Sequence, residues 1–164
     1  MNVSDFIQKV LIEEFKEIQK HEGYHYISFS LLCQGIEFLG ACLDSDAFSN
    51  KGLSAARFRR AICDLFPISY QEFNRGSGKP FDLCENLRCA LFHIILSGSP
   101  LELIRRSERV KFNGNHLEVR EIRGMNRLIL VLEDLFEDYE EACQEIIARI
   151  RDGRLSGWKF AGDL

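Results

Sequence analysis

The sequence predicts a mostly α-helical protein, a bundle of about five helices with one inserted β-hairpin. Three observations carry that expectation. Apolar residues recur at steps of three and four through most of the chain. Asn113-Gly114-Asn115 stands between the alternating pairs Val110/Phe112 and Leu117/Val119, the pattern of a tight hairpin. Finally, 164 residues with 46% hydrophobic and 28% charged side chains is an ordinary globular composition. It excludes disordered and low-complexity classes, and a chain of this size can bury a core without disulfide or metal staples. One helical domain is expected over residues 1–150, followed by an irregular tail over 151–164.

Val3, Phe6, Ile7, Val10, Leu11, Phe15 and Ile18 predict a helix over 3–20, with Asn2 or Ser4 as its N-cap and Gly23 suited to a left-handed C-cap. A second helix, over 28–43, carries Phe29, Leu32, Cys33, Ile36, Leu39, Gly40 and Leu43. Its polar face is thin, so it should be the central and most buried helix. Residues 44–52 read as a loop, after which Ser54 caps a third helix that Pro67 ends. A long connection over 67–79 leads to Pro80, placed as the first residue of a fourth helix that runs to Leu96. Ser99-Pro100-Leu101-Glu102 has the form of a capping box and predicts a short helix. The hairpin is expected over 109–120. Beyond it Ile122, Met125, Ile129, Leu132, Phe136, Tyr139, Cys143, Ile146 and Ile150 alternate steps of three and four. They predict a final helix of about 28 residues, ~42 Å long, able to brace the bundle. Trp158 and Phe160 are expected to tack the tail onto the core.

Charge and cysteine usage narrow the function classes. The net charge is −4, so bulk field does not favour tight nucleic-acid binding, although a small basic patch would suffice locally. The six cysteines lie in apolar stretches without a CxxC or zinc-finger spacing. They read as buried free thiols of a reducing compartment, with no metal site and no cofactor. Met1-Asn2-Val3-Ser4-Asp5 lacks the regions of a signal peptide, and uninterrupted apolar runs fall short of the ~20 residues of a membrane span. A cytoplasmic protein without membrane association is expected.

Two polar residues stand out in the apolar run Leu87-Arg88-Cys89-Ala90-Leu91-Phe92-His93. Burying Arg88 or His93 unpaired is costly, so each must find a partner, a cleft or an interface. Five helical steps set them roughly 140° apart, and they converge only if the arginine curves back or a second subunit completes the site. The plain alternative is a structural arginine paired with a carboxylate and a histidine filling a helix end. Glu37 is the only charged residue between Phe29 and Leu43, and a lone buried carboxylate needs a cation. Either Glu37 pairs with Arg88, or it lies on a narrow solvated strip. Cys89 and His93 share a helix face with Asn86 nearby, a weak candidate for a thiolate dyad lacking a third orienting group.

Arg88-x4-His93 on a helix, within a small helical domain, resembles the Arg-x4–6-His signature of HEPN domains. The resemblance covers most of the chain in architecture and rests on these two residues. It implies a helical bundle that forms a homodimer with its two motifs facing across the interface. Many such proteins are metal-independent RNA endonucleases, often toxins or defence components that work with a protein partner or antitoxin. Others are non-catalytic binding or assembly modules. Carried over, His93 would act as general acid or base at the ribose 2′-hydroxyl or the leaving oxygen, and Arg88 would hold the scissile phosphate. Glu37, Asn86 and Cys89 would complete the binding surroundings. Active members usually place a small polar residue after the arginine; this chain has Cys89.

Two basic groups could meet RNA phosphates: Arg57, Arg59 and Arg60, and Arg105, Arg106, Arg109 and Lys111. The ordinary alternative is solvated surface. The acidic run Glu133, Asp134, Glu137, Asp138, Glu140 and Glu141 lies opposite the apolar stripe and is expected to be a solvated helix face. A reading outside the family, a plain helical scaffold without a site, stands beside the other two.

Overall fold

The computed structural model describes residues 1–76, 78–89 and 100–156. It is mostly helical, with a small three-stranded sheet packed on the bundle. Helix α1 is built from three stretches end to end, Val3–Phe6, Ile7–Glu14 and Phe15–Gln19, the middle one π-helical. Asn2 is its cap, accepting the Asp5 N–H at 2.8 Å. The wider π turn explains which residues face inward: Val3, Ile7, Ile12 and Phe15 are buried, with a five-residue step in the middle. Phe6, Val10 and Ile18 are only half-buried.

Gly23 does not adopt the left-handed conformation expected of it. It sits in the 3₁₀ turn Glu22–Tyr24, which leads straight into α2, His25–Leu43, three residues ahead of the expected start. As expected, α2 is the central helix, packed against α1, α3 (Ser54–Leu65) and α4 (Leu132–Arg151). Phe29, Leu32, Cys33, Ile36 and Leu39 are wholly buried. By composition the window Glu22–Leu43 is long and apolar enough to cross a membrane, but 56% of it is buried within the fold, as in a core helix. Where α2 and α3 come closest, Gly40 lies against the backbone of Arg57, and a β-carbon there would collide with the Arg57 carbonyl.

Several boundaries differ from the sequence expectation. Ser54 opens α3 without a side-chain cap. Pro80 does not begin a helix, because Phe81 takes φ 63° and breaks the chain direction. Helical structure resumes with the π-helical stretch Cys84–Cys89, and the rest of the expected fourth helix lies outside the described residues. Pro100-Leu101-Glu102 opens no helix, since Leu101–Ile104 is strand β1. Trp158 and Phe160 also lie outside the described residues.

The largest correction concerns the hairpin and the start of the last helix. Arg109–Phe112 is one helical turn ended by Asn113 at φ 44°, so Asn113-Gly114 caps a helix instead of turning a hairpin. The hairpin lies later, between β2 (Glu118–Ile122) and β3 (Met125–Val131). Its loop is Arg123-Gly124 at φ 54° and 76°, the positive pair that a two-residue hairpin requires. The sheet order is β1-β3-β2, with β1 parallel to the central strand β3 and β2 antiparallel to it. Leu128 and Leu130 enter the main core, while Ile129 and Val131 pack with Ile104 and Ile122 on the other face. An apolar run buried on both faces satisfies helical spacing as well as strand spacing, which is why β3 reads as helix in the sequence. Helix α4 therefore begins at Leu132, directly after β3, and its stripe Leu135, Phe136, Tyr139, Cys143 and Ile146 is buried as expected.

Candidate functional site

Arg88 and Glu37 meet. Glu37 projects from the middle of α2, and Arg88 from the π-helical stretch donates Nε–H to its Oε2 at 3.0 Å. Of the two alternatives for Glu37, pairing with Arg88 or a place on a solvated strip, the pairing is the one present. Neither side chain is fully enclosed: Arg88 is 18% exposed and Glu37 27%. They face a cleft of about 590 Å³, a size typical of small-ligand sites. Gln34, Glu37, Phe38 and Ala41 line it at successive one-turn positions of α2, with Phe48, Arg57 and Arg88 opposite.

Arg57, which is buried, lines the cleft, while the partly exposed Arg59 anchors the segment that leads to Arg88. Arg57 is held by Asp44 at 2.7 Å and donates to the carbonyls of Ala47 at 2.8 Å and Phe48 at 3.1 Å. It pins the loop after α2 and sets the Phe48 ring against Phe38, stacked at 5.0 Å. Arg59 makes a two-pronged pair with Asp82, at 2.7 and 2.8 Å. The Asp82 side chain is completely enclosed and also accepts the N–H groups of Gly76 and Glu85. Burial alone would raise the Asp82 carboxyl, but Arg59 and these two N–H groups hold it below the usual carboxylate range. Asp82 thereby caps the segment carrying Arg88, and its carbonyl accepts both the backbone N–H and the side-chain amide of Asn86. Asn86 thus serves that cap locally. Cys89 ends the stretch, while His93, and with it the Cys89–His93 arrangement, lies outside the described residues.

Neither basic group forms an open phosphate-binding surface. Arg57 is buried, Arg59 is spent on Asp82, and Arg60 lies 3.5 Å from Asp64. Arg105 pairs with Glu133, Arg106 with Asp134 and Glu137, and Arg109 with Asp134. Lys111 lies over the Phe112 ring. The acidic face of α4 is correspondingly not simply solvated, because its first two turns bind the segment after β1. Four of the described cysteines are buried as expected, but Cys63 is exposed.

A second polar cluster was not legible in the sequence. Tyr70, wholly buried, donates its hydroxyl to Asp138 at 2.6 Å and lies 2.7 Å from His116 Nε2. The Val131 N–H donates to His116 Nδ1 at 3.0 Å, so the ring proton sits on Nε2 and points to the Tyr70 oxygen. Burial pushes the Tyr70 phenol well above its usual range. Asp138 is also raised, by burial and by neighbouring Glu141 and Glu137. These residues are far apart in the chain and belong to no periodic pattern, so no local signal marks them. Among the described residues, no three His, Cys, Asp or Glu side chains gather as a metal set.

Comparison with known proteins adds no relative: no family model, curated protein or solved structure matches this chain.

Proposed function

We propose that this is a HEPN-like protein that acts on RNA as a metal-independent endonuclease, with Arg88 and His93 at its site. The observation that supports the reading is the position of Arg88: a partly exposed guanidinium on the wall of a ligand-sized cleft, oriented by a carboxylate from the central helix. A guanidinium fixed in this way is suited to bind a phosphate and to offset charge that develops on it. His93 would move the proton, taking it from the 2′-hydroxyl or giving it to the leaving oxygen. The reading includes a homodimer in which a second copy brings its own motif to the site, as the resemblance to HEPN domains implies. A defence or toxin role with a protein partner or antitoxin goes with it.

The test is RNA cleavage by the purified protein in EDTA, beside His93→Ala and Arg88→Ala. Cleavage lost in both variants is the expected result. If none of the three cleaves or binds RNA, the nuclease reading is wrong. A second reading has its own support: Glu37 already satisfies part of the charge of Arg88, as a structural pair in a binding or assembly module would. There, Glu37→Gln would lower stability without altering any RNA-directed activity.

A further inference from the structure

Helices α1 and α2 leave an apolar groove of about 360 Å³ along their seam, far larger than the voids of a packed interior. Two local features open it. The π-helical stretch Ile7–Glu14 widens α1, and Gly35 on α2 carries no side chain, its place being taken by the hydroxyl of Tyr139 beneath. Phe6, Val10, Leu31 and Phe38 form the walls, Phe6 and Phe38 meeting across one end at 5.1 Å. Both of these rings also have partners outside the described residues. Among the described residues, Glu14 is the one charged side chain on the groove; it is exposed and forms no ion pair there.

The chain itself supplies a segment that fits. Helix α4 runs antiparallel to α1, with Glu140 at 2.5 Å from Lys16 and Gln144 at 3.3 Å from Gln8, so its C-terminal end lies beside the start of α1. Gly153, at φ 73°, turns the chain back at that end, and Leu155 packs half-buried on the main core. The described residues stop at Ser156, on the side of the groove that Phe6 closes. Residues 157–164 follow, with the order Trp158-Lys159-Phe160 near their start. They span up to about 26 Å when extended, whereas the groove follows α1 from Phe6 to Ile18 for no more than about 18 Å. Two large aromatic side chains flank one cation in this segment, as apolar walls flank one carboxylate in the groove. We infer that residues 157–164 dock in the α1–α2 groove, with Trp158 and Phe160 between its apolar walls and Lys159 toward Glu14. Gln34 and Phe38 line both this groove and the Arg88 cleft, so the docked segment lies along the edge of that cleft. The docking does not depend on the RNA reading.

The test uses the full chain, in which Trp158 is the single tryptophan, so quenching by an indole reports this segment alone. A bimane label is placed at the groove by Gln34→Cys, in a background carrying Cys63→Ser and Cys89→Ser. Gln34 is exposed, so the fold tolerates its substitution, which a thermal melt checks. The control protein keeps Cys63, exposed on α3 away from the groove, as its labelled site. Emission from the label at position 34 should be several-fold lower than in the same protein with Trp158→Phe. The label on Cys63 should be indifferent to that change. Glu14→Lys, which sets like charges together, should weaken docking about two- to fivefold and restore part of the emission. Emission at position 34 that is independent of Trp158, equal quenching at Cys63, or no recovery in Glu14→Lys overturns the inference. Quenching that grows with protein concentration also overturns it, because the groove would then take the segment of a second copy.

Discussion

His116 accepts the backbone N–H of Val131 on Nδ1 at 3.0 Å, at the residue where β3 ends and α4 begins. That bond fixes the tautomer, turns Nε2–H toward Tyr70, and through the Tyr70 hydroxyl reaches Asp138 on the second turn of α4. One imidazole thus ties the sheet, the 3₁₀ turn Ile68–Phe73 and the last helix together. It does so only while neutral, because a proton on Nδ1 would displace the Val131 N–H.

Stability should therefore fall in mild acid. Burial, with the nearby positive charge of Arg109, lowers His116 to about 4 from its ordinary 6.5. The unfolded chain takes up the proton first, so the contribution is complete above the unfolded value and is lost as pH drops toward the folded one. The full shift corresponds to about 3 kcal/mol. Urea unfolding midpoints should decline from about pH 7 to about pH 5, and His116→Gln should flatten that decline. Asp138, raised in the folded state, contributes a slope of the opposite sign over the range between its ordinary and its raised value. An unchanged slope in His116→Gln would show that other groups govern the acid limb.

Asp82 should be among the most sensitive positions in the chain. Its enclosed carboxylate serves Arg59 and two backbone N–H groups, so Asp82→Ala leaves the partly buried Arg59 without its carboxylate, strands two N–H groups and uncaps the Arg88 segment. A loss of about 3–5 kcal/mol is expected. Faster hydrogen exchange at the Glu85 amide would place the damage at the cap, and a loss under about 1 kcal/mol would contradict it.

Gly40→Ala should destabilise although alanine is the better helix former. The propensity gain is about 1 kcal/mol, but the new methyl meets the Arg57 backbone carbonyl, and overpacking of this kind costs about 1–3 kcal/mol or more. Gly23→Ala, where nothing lies within 4 Å, serves as the control and should be near neutral. A Gly40→Ala protein as stable as the parent would mean that α2 and α3 are not so closely apposed.

The Glu37–Arg88 pair should show coupling in a double-mutant cycle. Because the partners are 18% and 27% exposed, solvent screening keeps the expected interaction near 0.5–1.5 kcal/mol. Glu37→Gln and Arg88→Ala together should cost less than the sum of the two separate losses. Strict additivity would mean that the ion pair contributes no stability in solution.

Local periodicity was enough to place α1, α2, α3 and the body of α4, because an amphipathic helix writes its buried face at steps of three and four. The Glu37–Arg88 contact was legible for a related reason: α2 offers one charge, and a buried charge must be answered. Nothing local could separate strand from helix over Leu128–Val131, since a segment buried on both faces satisfies either period. Asn113-Gly114 and Arg123-Gly124 both permit a reversal, and the pairing of β2 and β1 with β3 decides which one turns the hairpin. The same holds for the charges. That Arg105, Arg106 and Arg109 close onto α4, and that Tyr70, His116 and Asp138 share a proton network, follows from distances in space between residues remote in sequence. Helices record their environment in their own spacing, whereas strand partners and buried polar pairs are chosen by the rest of the fold.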